Sequence, residues 1–294
     1  MLFNSIEFAI FLPIVFLLYW FVFNRNLKLQ NLFIVVASYV FYGWWDWRFL
    51  VLLAFTSLFS FASGLAIEKY RDTPRKAKTA NILNIVLNLV ILGAFTYYNF
   101  FVTSFADAFL GGKTDGLLLK VILPVGISFY TFKALSYSID VYRGKLKPTR
   151  DVVQYCVYVG FFPQLLAGPI ERATNLLPQL EKPRTFDYET GVDGLRQILW
   201  GLFKKMVIAD NCAVYVDRVF STYQTQSGST LLLAAIFFAF QIYGDFSGYS
   251  DMAIGTGKLF GFKTMKNFNF PYFSRDIAEF WRRWHISLTT WFRD

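Results

Sequence analysis

Between Lys78 and Asp107 the chain reads TANILNIVLNLVILGAFTYYNFFVTSFA (residues 79–106), with no charged side chain in it. A spanning helix needs roughly 20 mostly apolar residues, so this run is long enough to cross a bilayer. Working outward, charge is also absent between Glu7 and Arg25, Lys28 and Asp46, Arg48 and Glu68, Asp151 and Glu171, and Arg218 and Asp245. A seventh candidate, residues 117–139, carries Lys120 near one end and Lys133 inside. The repetition predicts an all-α polytopic membrane protein, read as a single domain over residues 1–294.

Composition agrees. Hydrophobic residues make up 55% of the chain and charged residues 17%, against roughly 25% charged in ordinary soluble domains. Such hydrophobicity excludes a disordered chain. The first segment, residues 6–23, has Glu7 in place of a basic leader and no small-residue cleavage site after it, so it reads as a true first span.

The net charge of +9 is mostly topology. With the N-terminus outside, the connections 25–29, 68–80 and 140–151 fall inside and carry eleven Lys and Arg residues. The outside connections carry only Arg48 and Lys113. Lys/Arg bias of this kind sets orientation, and basic loops facing anionic lipid account for the balance. No nucleic-acid motif accompanies it. Cys156 and Cys212 lack CxxC spacing and read as packing residues, with no disulfide inferred.

Several helices are interrupted. Pro124 and Gly126 lie in LPVGISFYTF (123–132), and Pro163, Gly168 and Pro169 in FFPQLLAGPIER (161–172). Broken backbone at membrane depth survives only where protein or a water-filled cavity covers it, so these are packed kinks or re-entrant segments. Residues 195–208 place apolar side chains at helical spacing, with Arg196, Lys204 and Lys205 opposite. That pattern predicts a helix lying in the interface plane. In GDFSGYSD (244–251), Gly244 and Gly248 are one turn apart and permit close helix approach; Gly257 and Gly261 repeat the spacing. Asp245 and Asp251 fall on different helical faces, which suits structural hydrogen bonding better than a paired-carboxylate acid/base site.

The only histidine is His285, in FWRRWHISLTTWFRD (280–294). On a continuous helix capped by Ser274, with Asp276 in its first turn, His285 would share a face with Ala278, Trp281, Leu288 and Phe292. A lone histidine in a soluble core is most often a neutral packing residue. An inward-facing ionisable group in a membrane protein is by default a functional hypothesis, and imidazole is the usual general base. One histidine with no nearby cysteine cannot form a His-rich metal site, so no metal is expected. No GxSxG elbow, P-loop or dinucleotide fingerprint is present.

Four blocks, PVGISFYTFKALSYSIDVYRG (124–144), FFPQLLAGPIERA (161–173), GDFSGYSDMAIG (244–255) and NFNFPYFSRDIAEFWRRWHISLTTWFRD (267–294), resemble the bacterial membrane-bound O-acyltransferases. The alginate O-acetyltransferase-like branch is the nearer likeness. MLFNSIEFAIFLPIVFLLYW and VASYVFYGWWDWRFL (36–50) are also similar to that branch. The resemblance implies a helical bundle with re-entrant or interfacial helices, in the bacterial inner membrane. Its activity would move an acyl group, preferably acetyl, from a cytoplasmic thioester such as acyl-CoA to an extracytoplasmic polysaccharide or partner protein. Bound cofactors are not implied; membrane lipids and an acyl-accepting protein or polysaccharide are. The family's RWHxSL histidine matches His285, the candidate catalytic base. Trp281, Trp284 and Asp245 are candidates for the tunnel wall, and Arg282 and Arg283 for contact with phosphate on the donor's cofactor. The resemblance also implies further spans carrying a second histidine. No residue here matches that histidine, and the sequence reads as a fragment ending inside a motif at Asp294. The alternatives are a transporter, which predicts inverted repeats, and a noncatalytic membrane subunit of a polysaccharide assembly.

Overall fold

The computed structural model describes residues 1–109, 118 and 123–294. Helices begin where a short polar side chain precedes an apolar run. Its oxygen accepts from an amide that would otherwise lack a partner. Ser5 does this for Phe8 N, Asn26 for Lys28 N and Leu29 N, Asp151 for Val153 N and Gln154 N, and Ser227 for Thr230 N. The first helices are α1 (Ile6–Leu17), continued by a π turn over Leu18–Val22, then α2 (Leu27–Gly43), α3 (Arg48–Lys69) and α4 (Pro74–Phe109). They are followed by α5 (Ile127–Tyr142), α6 (Val152–Gly160), α7 (Phe162–Leu165), α8 (Ala173–Leu180) and α9 (Tyr188–Leu202). A second π segment, Phe203–Ala209, joins α9 to α10 (Asp210–Ser221); then come α11 (Gly228–Leu259), α12 (Ile277–Arg283) and α13 (Ile286–Arg293).

By length and hydropathy, α3, α4 and α11 can each cross a membrane; Ile6–Val22 and α2 are shorter apolar helices. The 22 residues of α3 extend about 33 Å. This is an all-α integral membrane protein. Residues 117 and 119–122 of the seventh candidate span, Lys120 among them, lie outside the described residues. From Ile127 onward the span is α5, where Lys133 is buried and donates to Tyr158 O at 3.1 Å and Gln164 Oε1 at 2.7 Å.

The charge-free run between Asp151 and Glu171 is not one spanning helix. It divides into α6, of 9 residues, and the single turn of α7. A helix that short extends only about 14 Å. Tyr155, Val157, Tyr158, Val159 and Phe161 are fully buried, so the run is apolar because it fills the protein core. Pro163 sits in the first turn of α7, where its missing N–H costs nothing. The broken backbone is covered by protein.

Residues 195–208 do not lie in the interface plane. They run antiparallel along α11, with Gly194 against Gly255, Gly201 against Gly248 and Lys204 O against Gly244. A Cβ on Gly201 would sit 2.6 Å from Gly248 O. Glycine allows this contact between main chains, and a helix laid along a spanning helix shares its direction. Gly257 and Gly261 do not extend the seam. Nothing lies closer than 3.5 Å to a Cβ on Gly257, and Gly261, at φ 78°, ends α11 in the left-handed conformation.

Candidate functional site

Asp276 accepts from Glu279 N at 2.7 Å and starts α12, so the cap lies two residues beyond Ser274. The helix then stops. His285 adopts φ 42° and ends α12 and starts α13, so residues 278, 281, 288 and 292 share no single helical face with it. Among the described residues, the non-glycine residues with positive φ are His285 and Phe270, and both belong to this region. Strained backbone persists where surrounding contacts over-determine it.

Those contacts are present. Ile286 N donates to Asn267 O at 2.9 Å, Ser287 Oγ to Asn267 Oδ1 at 2.8 Å, and Ile170 N to Ser287 Oγ at 3.0 Å. Asn269 N donates to Arg283 O at 3.0 Å. The His285 carbonyl accepts from Leu288 N and Thr289 N, opening α13. Asn267 and Ser287, both buried, thus clamp the joint that presents the imidazole.

The ring stands edge-on to Phe246 of α11, with centroids 4.7 Å apart. Its Nε2 is buried without a hydrogen-bond partner among the described residues. Burial pushes the imidazole down to about 4, because no acid stands by to favour the charged form. It is therefore neutral at physiological pH, with a free lone pair.

Beside this joint is a cavity of about 220 Å³ lined by Gln197, Lys204, Ser250, Asp251, Asn267 and Phe268, among others. The imidazole is one layer behind its wall: Phe246 packs on both His285 and Phe268, and Phe268 lines the cavity. A second, more apolar cavity of about 450 Å³ shares Trp200, Lys204, Tyr243 and Phe270 with it. Ser250 Oγ and Asn267 Nδ2 are buried and unpartnered among the described residues. Buried polar groups normally have partners, so these two residues are candidates to hold a polar group in the cavity.

Trp284 stacks on Phe280 and meets Phe268 edge-on at 5.1 Å, next to the cavity wall. Trp281 is instead 53% exposed and packs edge-on against Phe280. Asp245 is also elsewhere. It pairs with Lys205 at 2.6 Å, on a different face of α11 from the cavity-lining Asp251. Asp251 pairs with Lys204 and accepts from Gln197 Nε2 at 2.8 Å. Lys204 and Lys205, which sequence placed on a lipid-surface face, are consumed by these pairs.

Arg282 is exposed, and Arg283 binds Glu279 at 2.5 Å. The Arg275 amide and guanidinium hold the Glu279 carboxyl down to about 2, with Arg283 adding to the effect. That pairing ties Arg283 to its own helix. No cluster of three potential metal ligands occurs among the described residues. Sequence reasoning passed over Gln197, Ser250 and Asn267 and gave Lys204 a lipid-surface role in place of one at the site. Only Lys204 had a readable signal, a cation in the π segment after α9 opposite a carboxylate on a glycine-spaced partner.

Residues 149–294, which contain the clamp, the cavity and His285, match the pattern described as MBOAT, membrane-bound O-acyltransferase family. The chain belongs to this family. Over its whole length it is 42% identical to a Pseudomonas aeruginosa protein named "Probable alginate O-acetylase AlgI" and spans 56% of that protein. It is 34% identical to the peptidoglycan O-acetyltransferase of Helicobacter pylori, spanning 60% of it. Over 60% of the chain it is 30% identical to the teichoic acid D-alanyltransferase of Bacillus subtilis, covering 45% of that relative. These relatives are named for different polymers, and the chain spans little more than half the length of the first of them.

Proposed function

We propose that this protein is a membrane O-acyltransferase that moves an acetyl group from a cytoplasmic thioester, such as acetyl-CoA, to a hydroxyl of an extracytoplasmic polysaccharide or acyl-carrying partner protein. It would sit in the inner membrane with its N-terminus outside, as the Lys/Arg distribution implies. The observation that carries the reading is the neutral, unpartnered Nε2 of His285, clamped in strained backbone within the family's domain.

In this reading Phe246 and Phe268, which separate the ring from the cavity, move aside, and Nε2 accepts the proton of the acceptor hydroxyl as its oxygen attacks the thioester carbonyl. The C–O bond forms, the C–S bond breaks, and the leaving thiolate takes up a proton. General-base help is typically worth on the order of 10² to 10⁴-fold. Positioning both substrates in a confined space supplies more. Ser250 and Asn267 would orient the polar end of a substrate, while Trp284 helps to shape the adjoining aromatic wall. Asp251 is held by Lys204 and Gln197 and so stays a structural anion.

The test is acetyl quantification on extracellular polysaccharide from cells whose chromosomal gene carries His285→Ala, with protein level checked in membranes. Acetylation should fall at least 100-fold, as loss of a general base implies. Retained acetylation with His285→Ala, alongside loss on gene deletion, would instead establish a noncatalytic subunit.

A further inference from the structure

Arg184 follows α8 and is 7% exposed. Its Nε donates to Tyr19 Oη at 2.5 Å, Nη1 to Gln179 O at 3.2 Å, and Nη2 to Gln30 Oε1 at 3.0 Å and Asn31 Oδ1 at 2.6 Å. Tyr19 in turn donates its proton to Phe260 O at 3.1 Å, so it is a neutral phenol. Every acceptor around this guanidinium is therefore uncharged. No carboxylate lies within ion-pair distance of it among the described residues. Buried charges are normally paired, because neutral dipoles replace only part of the lost hydration. A guanidinium has five N–H donors, and these bonds occupy four.

Arg184 lines a cavity of about 570 Å³ together with Lys182, Lys263, Thr185, Gln179 and Asn175. Three of the lining residues are cations and none is acidic. Three acids near this wall in sequence or contact are engaged or lie outside the lining, Asp187 among them as the cap of α9, accepting from Thr190 N at 2.9 Å. Glu171 accepts from Asn175 Nδ2 at 2.6 Å and from Met265 N, and Glu181 is exposed outside the lining. The cavity lies beside Tyr19 and the start of α2, at the end of the bundle carrying Arg25 and Lys28. The Lys/Arg distribution makes that end cytoplasmic.

We propose that this cavity is a binding site for a phosphate group, with Arg184 as the buried anchor and Lys182 and Lys263 as the mobile rim. Arginine forks suit phosphate oxygens, and lysines add charge at the mouth. Two sources share this chemistry: the headgroup of an anionic phospholipid and a soluble phosphate-bearing molecule. With a lipid headgroup as the source the proposal is independent of acyl transfer; with coenzyme A as the source it rests on the acyl-transfer reading, and neither source involves His285.

The test uses the full chain in phosphatidylcholine nanodiscs, with thermal unfolding as readout. Inorganic phosphate should raise Tm saturably, while sodium chloride at equal ionic strength should not. Lys182→Ala with Lys263→Ala should leave the Tm in buffer unchanged and weaken the phosphate response at least tenfold. Arg184→Gln should abolish the response. Coenzyme A acting at concentrations at least 100-fold lower than phosphate would identify a soluble source. A raised Tm in phosphatidylglycerol nanodiscs, with no further response to phosphate, would identify a lipid source. His285→Ala should respond as the wild type does. The proposal fails if phosphate, coenzyme A and phosphatidylglycerol all leave Tm unchanged, or if the double lysine variant responds like the wild type.

Discussion

Two seams join helices in this protein, by opposite means. Between α9 and α11, glycines bring main chains into contact, and charged side chains bond across the groove beside them. Between α3, α4 and α5, side-chain amides and hydroxyls bridge helices held further apart. Ser60 Oγ donates to Asn84 Oδ1 at 2.8 Å, and Asn84 Nδ2 donates to Ser138 Oγ at 2.8 Å. In lipid, apolar side chains gain little by leaving one hydrocarbon surface for another, so helices need close packing or polar bonds. The glycine seam is rigid because carbonyls and Cα atoms define it. The candidate site is built there: Gln197, Lys204, Ser250 and Asp251 line its cavity from both sides of the seam.

The sharpest way to break this contrast is Gly201→Leu. Its Cβ would meet Gly248 O at 2.6 Å and Met252 Cγ at 2.7 Å, and neither helix can yield alone. No monodisperse detergent peak should be recovered; a folded peak with wild-type Tm would show that the seam is looser than described. Next is Lys204→Met, which strands the Asp251 carboxylate in a mostly buried site. It should cost about 2 to 3 kcal/mol, somewhat below a fully buried broken pair. Lys204→Met with Asp251→Leu should recover most of that loss in thermal unfolding. If the double variant is as unstable as the single one, the ion pair is not what Lys204 supplies.

In the polar seam, Asn84→Leu removes an acceptor for Ser60 and a donor to Ser138. Interhelical bonds in membranes average below about 1 kcal/mol each, so a loss of about 1 to 2 kcal/mol is expected, with the protein still folded. The smallest effect should come from Gly257→Ala, which has the same spacing in sequence but no close neighbour. Tm should stay within what about 0.5 kcal/mol produces, and better helix propensity favours a slight rise. A large loss there would mean that glycine spacing alone marks a seam.

Only a small part of the candidate site was legible without coordinates. His285 stood out as the sole imidazole, and Trp284 next to it packs on Phe268, which lines the cavity, without lining it itself. Trp281 and Asp245 did not follow, because a continuous helix was assumed where the chain turns at His285, and because Lys205 claims Asp245. Arg184 carried no signal: a single arginine in a Pro-containing loop reads as solvated until Tyr19, Gln30 and Asn31 arrive around it from the other end of the chain. Likewise α6 and α7 look like a span because burial inside protein and burial in lipid select the same apolar side chains.

Charge spacing and hydropathy are local properties, so the chain by itself determined an all-α membrane protein, most of its spanning helices and the stretch around its lone histidine. Which helices touch, which cations meet carboxylates and which stay without a counter-charge depend on residues 24 to 165 positions apart in the chain. Tyr19, Asn31 and Arg184 form one cluster, and Ile170 and Ser287 another. Only folding brings such groups within hydrogen-bond distance, and only there do their partners, or the lack of one, become chemistry.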